Sequence, residues 1–343
     1  MKKNLLLFLF CSSFLLVQAQ TNDENDLKSK QLFNNAIRYI KNNNFQQALQ
    51  SLDKVILLSP NFSAAYVERG KVKVQLNKID DALDDFNKCL MLNDQSGEAM
   101  FGKSYISFIR NKYDDALQGF TQAISLGYTE PIIYYYRGVI RMTKEDYTGA
   151  VLDYTFAIDK KFDFGYAFQD RAGAKYKLND LKGALADYEK AAELMPNFAL
   201  VFNNLGNIKK EMADYKGAIE AYSKAIELND KYYIAYNNRG HAYFLSGDKT
   251  KALEDFNKAL SIQPDYLSAL NNIAVLKASD NNMKEATEDL NKLIKLNSEY
   301  GTAYLNRGNI KELQGDIQGA CTDWTTANKL GIQQAEKYIT NCK

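Results

Sequence analysis

Apolar positions along this chain fall in pairs of helical stripes split by a short polar turn, and the pair recurs every 34 residues. In one period the first stripe is Phe202, Leu205, Gly206 and Ile208. After Ala213 and Asp214 the second stripe is Tyr215, Ala218, Ile219, Tyr222, Ala225 and Ile226. Spacings of three, four and seven put each set on one face of a helix. Nine alanines keep the beat without insertion or deletion: Ala48, Ala82, Ala116, Ala150, Ala184, Ala218, Ala252, Ala286 and Ala320. Twelve residues before each stands a small side chain, from Ala36 and Gly70 to Ala274 and Gly308. Four residues after each stands a large apolar one: Leu52, Phe86, Phe120, Tyr154, Tyr188, Tyr222, Phe256, Leu290 and Trp324. Turns carry Asn, Gly or Asp, as in Asn43-Asn44, Asn179-Asp180, Gly247-Asp248 and Gly315-Asp316, which suits a tight break between antiparallel helices. Small residues let the two backbones approach, and the aromatic fills the space against the neighbouring unit.

One helical hairpin cannot bury its apolar face alone, so a fixed period of this length predicts stacked hairpins sharing a continuous core. The small, Ala, aromatic and Ala positions at these offsets resemble the tetratricopeptide repeat (TPR). Pro60, Pro196 and Pro264 also match its proline at the end of the second helix. The resemblance implies an all-α, right-handed α-solenoid of nine 34-residue helix-turn-helix units over residues 29–334. Units start near 29, 63, 97, 131, 165, 199, 233, 267 and 301. It also implies a concave face lined by the first helix of each unit, where ligands lie.

Residues 1–19 stand outside the repeats. Lys2 and Lys3 open a stretch that is apolar from Leu5 to Val17 and closes on Val17-Gln18-Ala19. This is the layout of a secretory signal, too short to span a bilayer, and cleavage is expected after Ala19. Phe10 precedes Cys11 where lipoprotein signals have a small residue, so lipidation is not expected. Residues 20–28 are expected to form a polar, mobile lead-in. At the other end Leu330, Ile332, Ala335, Tyr338 and Ile339 make one apolar stripe, predicting a capping helix over 332–343.

Charge narrows the partners. Loss of Lys2 and Lys3 leaves 41 basic against 42 acidic side chains, a formal charge near −1. A near-neutral chain has no electrostatic reason to prefer nucleic acid or an anionic membrane. Nor does it carry a recognisable catalytic constellation. There is one histidine, His241, at the position that Asn207 and Asn309 hold in other units, and it reads as a groove-lining polar residue. Asp163-Phe164-Gly165 imitates a kinase magnesium motif without any of the other kinase motifs. Acidic clusters such as Asp80-Asp81 with Asp84-Asp85 read as a solvated face. No enzyme activity, metal or cofactor is expected.

What remains is binding. Units six to nine present asparagines on the first-helix face: Asn203, Asn204, Asn207, Asn237, Asn238, Asn271, Asn272, Asn306 and Asn309. An amide offers donors and an acceptor, so such a ladder can pair with the backbone of an extended peptide. Equally, it can join adjacent helices. Units one to five are more apolar there, with Phe33, Ile37, Val67, Phe101, Tyr105, Phe108, Tyr135, Tyr136, Val139, Tyr166 and Tyr176. These rings either form a binding strip or pack against the next helix. Some TPR domains clamp a terminal carboxylate. Asn207 and Asn238 match two clamp places, but Ser268 and Asn272 stand where the basic residues belong, so a neutral or internal peptide segment is expected. Cys89 replaces an alanine and reads as a small buried hydrophobe. Cys321 and Cys342 lie at matching distances from a turn centred near Gly331 and Ile332, which predicts a disulfide pinning the cap in an oxidising compartment. The expectation is a non-enzymatic scaffold exported to the periplasm or outer membrane of a Gram-negative bacterium, binding a polypeptide segment. The alternative is a self-associating structural spacer in an envelope assembly.

Overall fold

The computed structural model describes residues 24–340 and 342. The signal segment 1–19 and the first part of the lead-in lie outside them. Among the described residues every regular element is helical. The described residues fall into two compact units, one ending at residue 162 and the other starting at residue 163.

In the first unit a helix over residues 24–41 (α1) pairs with α2 (Phe45–Leu58). Three more hairpins follow: α3 (Ser63–Gln75) with α4 (Ile79–Leu92), α5 (Gly97–Ile109) with α6 (Tyr113–Ser125), and α7 (Pro131–Thr143) with α8 (Tyr147–Lys160). Residues 24–28, expected in the mobile lead-in, are the start of α1. Their charges support a helix there: Asp26 pairs with Lys30 one turn on, at 2.8 Å.

The second unit holds five hairpins. They are α9 (Gly165–Lys177) with α10 (Leu181–Leu194), α11 (Ala199–Glu211) with α12 (Tyr215–Leu228), and α13 (Tyr233–Leu245) with α14 (Lys249–Ile262). Then come α15 (Leu267–Ser279) with α16 (Met283–Leu296), and α17 (Gly301–Leu313) with α18 (Ile317–Lys329). From the second hairpin onward, each first helix starts on the residue that the 34-residue period predicts.

Local chemistry explains these limits. All nine hairpin turns place one residue at positive φ in the same register: Asn43, Asn77, Asn111, Glu145, Asn179, Ala213, Gly247, Asn281 and Gly315. Asn and Gly tolerate that conformation, whereas Glu145 and Ala213 hold it at a cost of about 1–2 kcal/mol. Directly after the turn, Asp146, Asp180, Asp214, Asp248 and Asp316 cap the second helix by accepting a backbone N–H three residues on.

The periodic alanines are all fully buried. The aromatic one turn later packs on its own hairpin as well as on the next. A Cβ on Gly70, Gly138, Gly206, Gly240 or Gly308 would meet the ring of Phe86, Tyr154, Tyr222, Phe256 or Trp324 at 2.6–2.8 Å. Phe86 also lies against Gly102 of the following hairpin.

The C-terminal cap is not one helix over 332–343. It is a 3₁₀ turn (Gln333–Ala335) followed by the one-turn helix α19 (Glu336–Ile339). Gly331, at φ 85°, reverses the chain so that Ile332 fills the space beside Gly301 and Tyr338 stacks on Trp324 at 5.0 Å. The helical segment is therefore shorter than 332–343 and opens with a 3₁₀ turn. Cys321 and Cys342 are joined by a disulfide with a Cα–Cα distance of 5.6 Å.

Candidate functional site: the first-helix face

A repeated ion pair joins the first helix to the second in five of the hairpins. Arg69, Arg137, Arg171, Arg239 and Arg307 each reach the aspartate sixteen residues on. Those partners, Asp85, Asp153, Asp187, Asp255 and Asp323, are buried. Both carboxylate oxygens are engaged in every pair, at 2.6–2.9 Å for the closest contacts. A second cation, Lys73, Arg141, Lys175 or Lys311, joins four of them. Asp85 is therefore an internal carboxylate, not part of a solvated face. The signal was available: where Arg gives way to Leu205 the partner position is Ala221, and where it is Lys103 the partner is Gly119. Burying a carboxylate without a cation is expensive, and where an Asp stands without the Arg, as Asp289 does sixteen residues after Ile273, it is only half-buried and takes Lys277 as its cation at 2.6 Å.

In the second unit this scaffold supports the asparagines. Asn203, Asn237 and Asn271 are buried, with 4–5% of their surface exposed. Each accepts from an asparagine on the next first helix: Asn238 to Asn203 at 3.0 Å, Asn272 to Asn237 at 2.9 Å and Asn306 to Asn271 at 2.9 Å. The three buried amides therefore act as pegs between adjacent first helices. Asn238, Asn272 and Asn306, half-buried, spend an Nδ2 donor on the ladder and keep their Oδ1 atoms for other partners.

A second set is fixed by the aromatics. Tyr222 donates its hydroxyl to Asn207 at 2.8 Å, and Trp324 donates Nε1–H to Asn309 at 2.9 Å. Because indole N–H can only donate, Asn309 must present its carbonyl inward and its Nδ2 outward. His241 occupies the same register, and there the aromatic is Phe256, which has no polar tip. Burial, and then the charge of Lys210, pushes the His241 imidazole down to about 4. It is neutral at physiological pH. Asn204 lines a cavity of about 400 Å³ with Tyr176, Tyr188, Asn207, Lys210 and Glu211.

In the first unit the candidate rings form a packed cluster. Phe101 stacks on Tyr128 at 4.8 Å and lies 5.7 Å from Phe120. Tyr105 meets Tyr136 at 5.0 Å, and Tyr135 sits 5.6 Å from Tyr136 and 5.9 Å from Tyr154. Val67 is buried, and Phe33 packs on Phe62 at 4.9 Å. These rings are partly structural, yet Phe101, Tyr105 and Tyr136 wall a cavity of about 210 Å³ that is also lined by Lys71, Glu98 and Ile132. Lys71 is held by Glu68 at 2.9 Å and by Glu98. Tyr166 and Tyr176, in the second unit, stay exposed.

Chemically the face offers amide edges, phenols and apolar walls. Among the described residues no group of three or more His, Cys, Asp and Glu is placed to hold a metal ion. None of their helices is long and apolar enough to cross a membrane.

Comparison with known proteins agrees with this geometry. Profiles described as tetratricopeptide repeat match residues 233–266, and 63–96 with 267–300; one described as TPR repeat matches 173–213 and 211–247. No curated protein matches the chain. Among solved structures, a tetratricopeptide repeat protein from Parabacteroides merdae is similar, at 21% identity and a TM-score of 0.65. The match covers 72% of this chain and 98% of that one. A MamA fragment from Desulfovibrio magneticus RS-1 aligns at 19% identity and a TM-score of 0.48, over 50% of this chain and 97% of that one. With a nine-fold 34-residue period, helical hairpins that keep its register and these matched segments, the chain belongs to the tetratricopeptide repeat family.

Proposed function

We propose that this chain is an exported adaptor that holds an extended polypeptide segment along its first-helix face. Arrays of this family are protein-interaction scaffolds and typically not enzymes. One observation carries the finer reading: the asparagine ladder consumes one edge of each amide and leaves another. Asn238, Asn272 and Asn306 keep Oδ1 as acceptors, and Asn207 and Asn309 keep Nδ2 as donors. Amides already fixed by their neighbours lose little freedom on pairing with a peptide backbone. The basic start, the apolar stretch after it and the Cys321–Cys342 pair support export to an oxidising compartment, the periplasm or outer membrane of a Gram-negative bacterium.

A photo-crosslinking residue in place of Val275, in the register of Asn207 and His241, tests this in the native cell against one in place of Lys258 on α14. An adduct to a different protein from position 275 alone is the expected result. Equal labelling from both positions, or an adduct only to a second copy, would overturn it.

A further inference from the structure

In the first unit one position of the first-helix face has lost its side chain. The register that carries Asn204, Asn238, Asn272 and Asn306 in the later hairpins runs through Asn34, Glu68, Gly102, Tyr136 and Asp170 in the earlier ones. Gly102 alone has nothing to project, and the cavity of about 210 Å³ described above opens beside it. Phe86 also lines this cavity, so near that a Cβ on Gly102 would collide with its ring. Phe101, Tyr105 and Tyr136 form the walls, together with Val74 and Ile132. These three rings are half-buried and so reachable from solvent. Burial, and then Tyr105, pushes the Tyr136 phenol above its ordinary value, which keeps the wall uncharged.

Volume and lining select the occupant. Apolar cavities of about 150 Å³ take up benzene, so this one has room for a six-membered ring. Walls made of rings favour a further ring in offset or edge contact.

Charge selects what stands beside that ring. Lys71, at the edge of the cavity, is held by Glu68 at 2.9 Å and by Glu98. Lys71 and Glu98 keep 40% and 42% of their side-chain surface exposed, so this edge is open to a partner. Tyr128 stacks on Phe101. Burial, opposed by Lys71 and reinforced by Glu98, Glu130 and Glu68, pushes the Tyr128 phenol up to about 12. Three carboxylates therefore stand against one ammonium beside the pocket. They repel an acidic side chain of a partner and attract a basic one.

We propose that this pocket seats a Phe or Tyr side chain of a polypeptide partner, and that a Lys or Arg next to that residue pairs with the Glu68 and Glu98 edge. The inference rests on the peptide-groove reading and names the side chains that the first unit selects.

A phage library displaying random dodecapeptides, panned on the chain from residue 20 onward, tests both. The expected outcome is a family of binders sharing one aromatic residue with a basic neighbour. Replacing the ring by Ala weakens binding roughly tenfold or more, as for a buried aromatic anchor. Replacing the basic residue by Gln also weakens it, and that loss shrinks in high salt. Ile132→Trp, which fills the cavity, abolishes recovery of the aromatic family. Glu98→Lys keeps the ring and loses the preference for a basic neighbour. If Ile132→Trp fails to fold by circular dichroism, Glu98→Lys and the substituted peptides on the unaltered protein still decide. Binders without a shared ring, or with a ring beside an acid or beside no charge, overturn the inference and leave the groove reading standing. Recovery of no binder at all overturns both.

Discussion

His241 shows how one residue can carry the character of a whole repeat. In the sixth and ninth hairpins the register holds Asn, matched to Tyr222 or Trp324, whose polar tip needs an acceptor. In the seventh, Phe256 removes that need, and a neutral imidazole takes the place of the amide. Its pKa of about 4 lies below the ordinary 6.5. Below pH 6.5 the unfolded chain takes up a proton that the folded chain refuses. The stability this group allows is therefore complete above pH 6.5 and declines as pH falls towards 4, by at most about 3 kcal/mol. Urea midpoints measured from pH 7 to 4 should fall more steeply for the wild type than for His241→Asn. Parallel curves would mean that the imidazole is solvated. Asp85 and Asp153 belong to the same scale. Single-residue reasoning takes an acidic cluster on a helix for a solvated face. The correlated Arg at the position sixteen residues earlier is what identifies an internal pair.

At the scale of the element, the small residue of each first helix decides how closely its hairpin shuts. Gly206 meets the ring of Tyr222, with a would-be Cβ 2.6 Å from Cε1. Gly173, in the middle of α9, has nothing nearer than the Tyr188 hydroxyl at 3.7 Å. Gly206→Ala should therefore destabilise by about 1–3 kcal/mol through overpacking, less the gain in helix propensity. Gly173→Ala should stabilise by about 0.5–1 kcal/mol, since only the propensity gain remains. Chemical denaturation of the two variants checks this, and a shift of the same sign in both would contradict it. Composition treats the two glycines alike. Only the ring opposite separates them.

For the second unit taken whole, the cap bears on the last interface of the stack. Stacked repeats draw their stability from neighbours, so a terminal hairpin lacks half of its support. Tyr338, Ile332 and Ala335 supply it by covering Trp324, Gly301 and Leu305, and the Cys321–Cys342 bond closes the loop between. A loop of 21 residues predicts a gain of about 3 kcal/mol for the disulfide in the chain-entropy account. The variant Cys321→Ser, Cys342→Ser should unfold at lower denaturant by a corresponding amount. Alkylation of the denatured, unreduced chain from residue 20 onward should label Cys89 alone. Three labelled thiols would show that the pair is not oxidised.

The repeat period, the hairpin limits and the identity of the fold were determined by the sequence itself. They follow from local rules that repeat nine times: helical spacing, a positive-φ turn residue such as Asn179 or Gly247, and an Asp cap. The pairing of Cys321 with Cys342 was also legible, because the turn between them is local. Which edge of each asparagine faces outward was not. The sequence marks Asn203 and Asn204, or Asn237 and Asn238, as equivalent neighbours on one helix. The adjacent helix decides that Asn203 and Asn237 become buried pegs while Asn204 and Asn238 remain at the face. The limits of the cap were not legible for the same reason: Ile332 and Tyr338 answer to Gly301 and Trp324, residues at least fourteen positions away in sequence. Local rules fix elements, because helix and turn energies depend on near neighbours. Burial and hydrogen-bond partners depend on residues brought together only by the stack, and tertiary structure alone decides them.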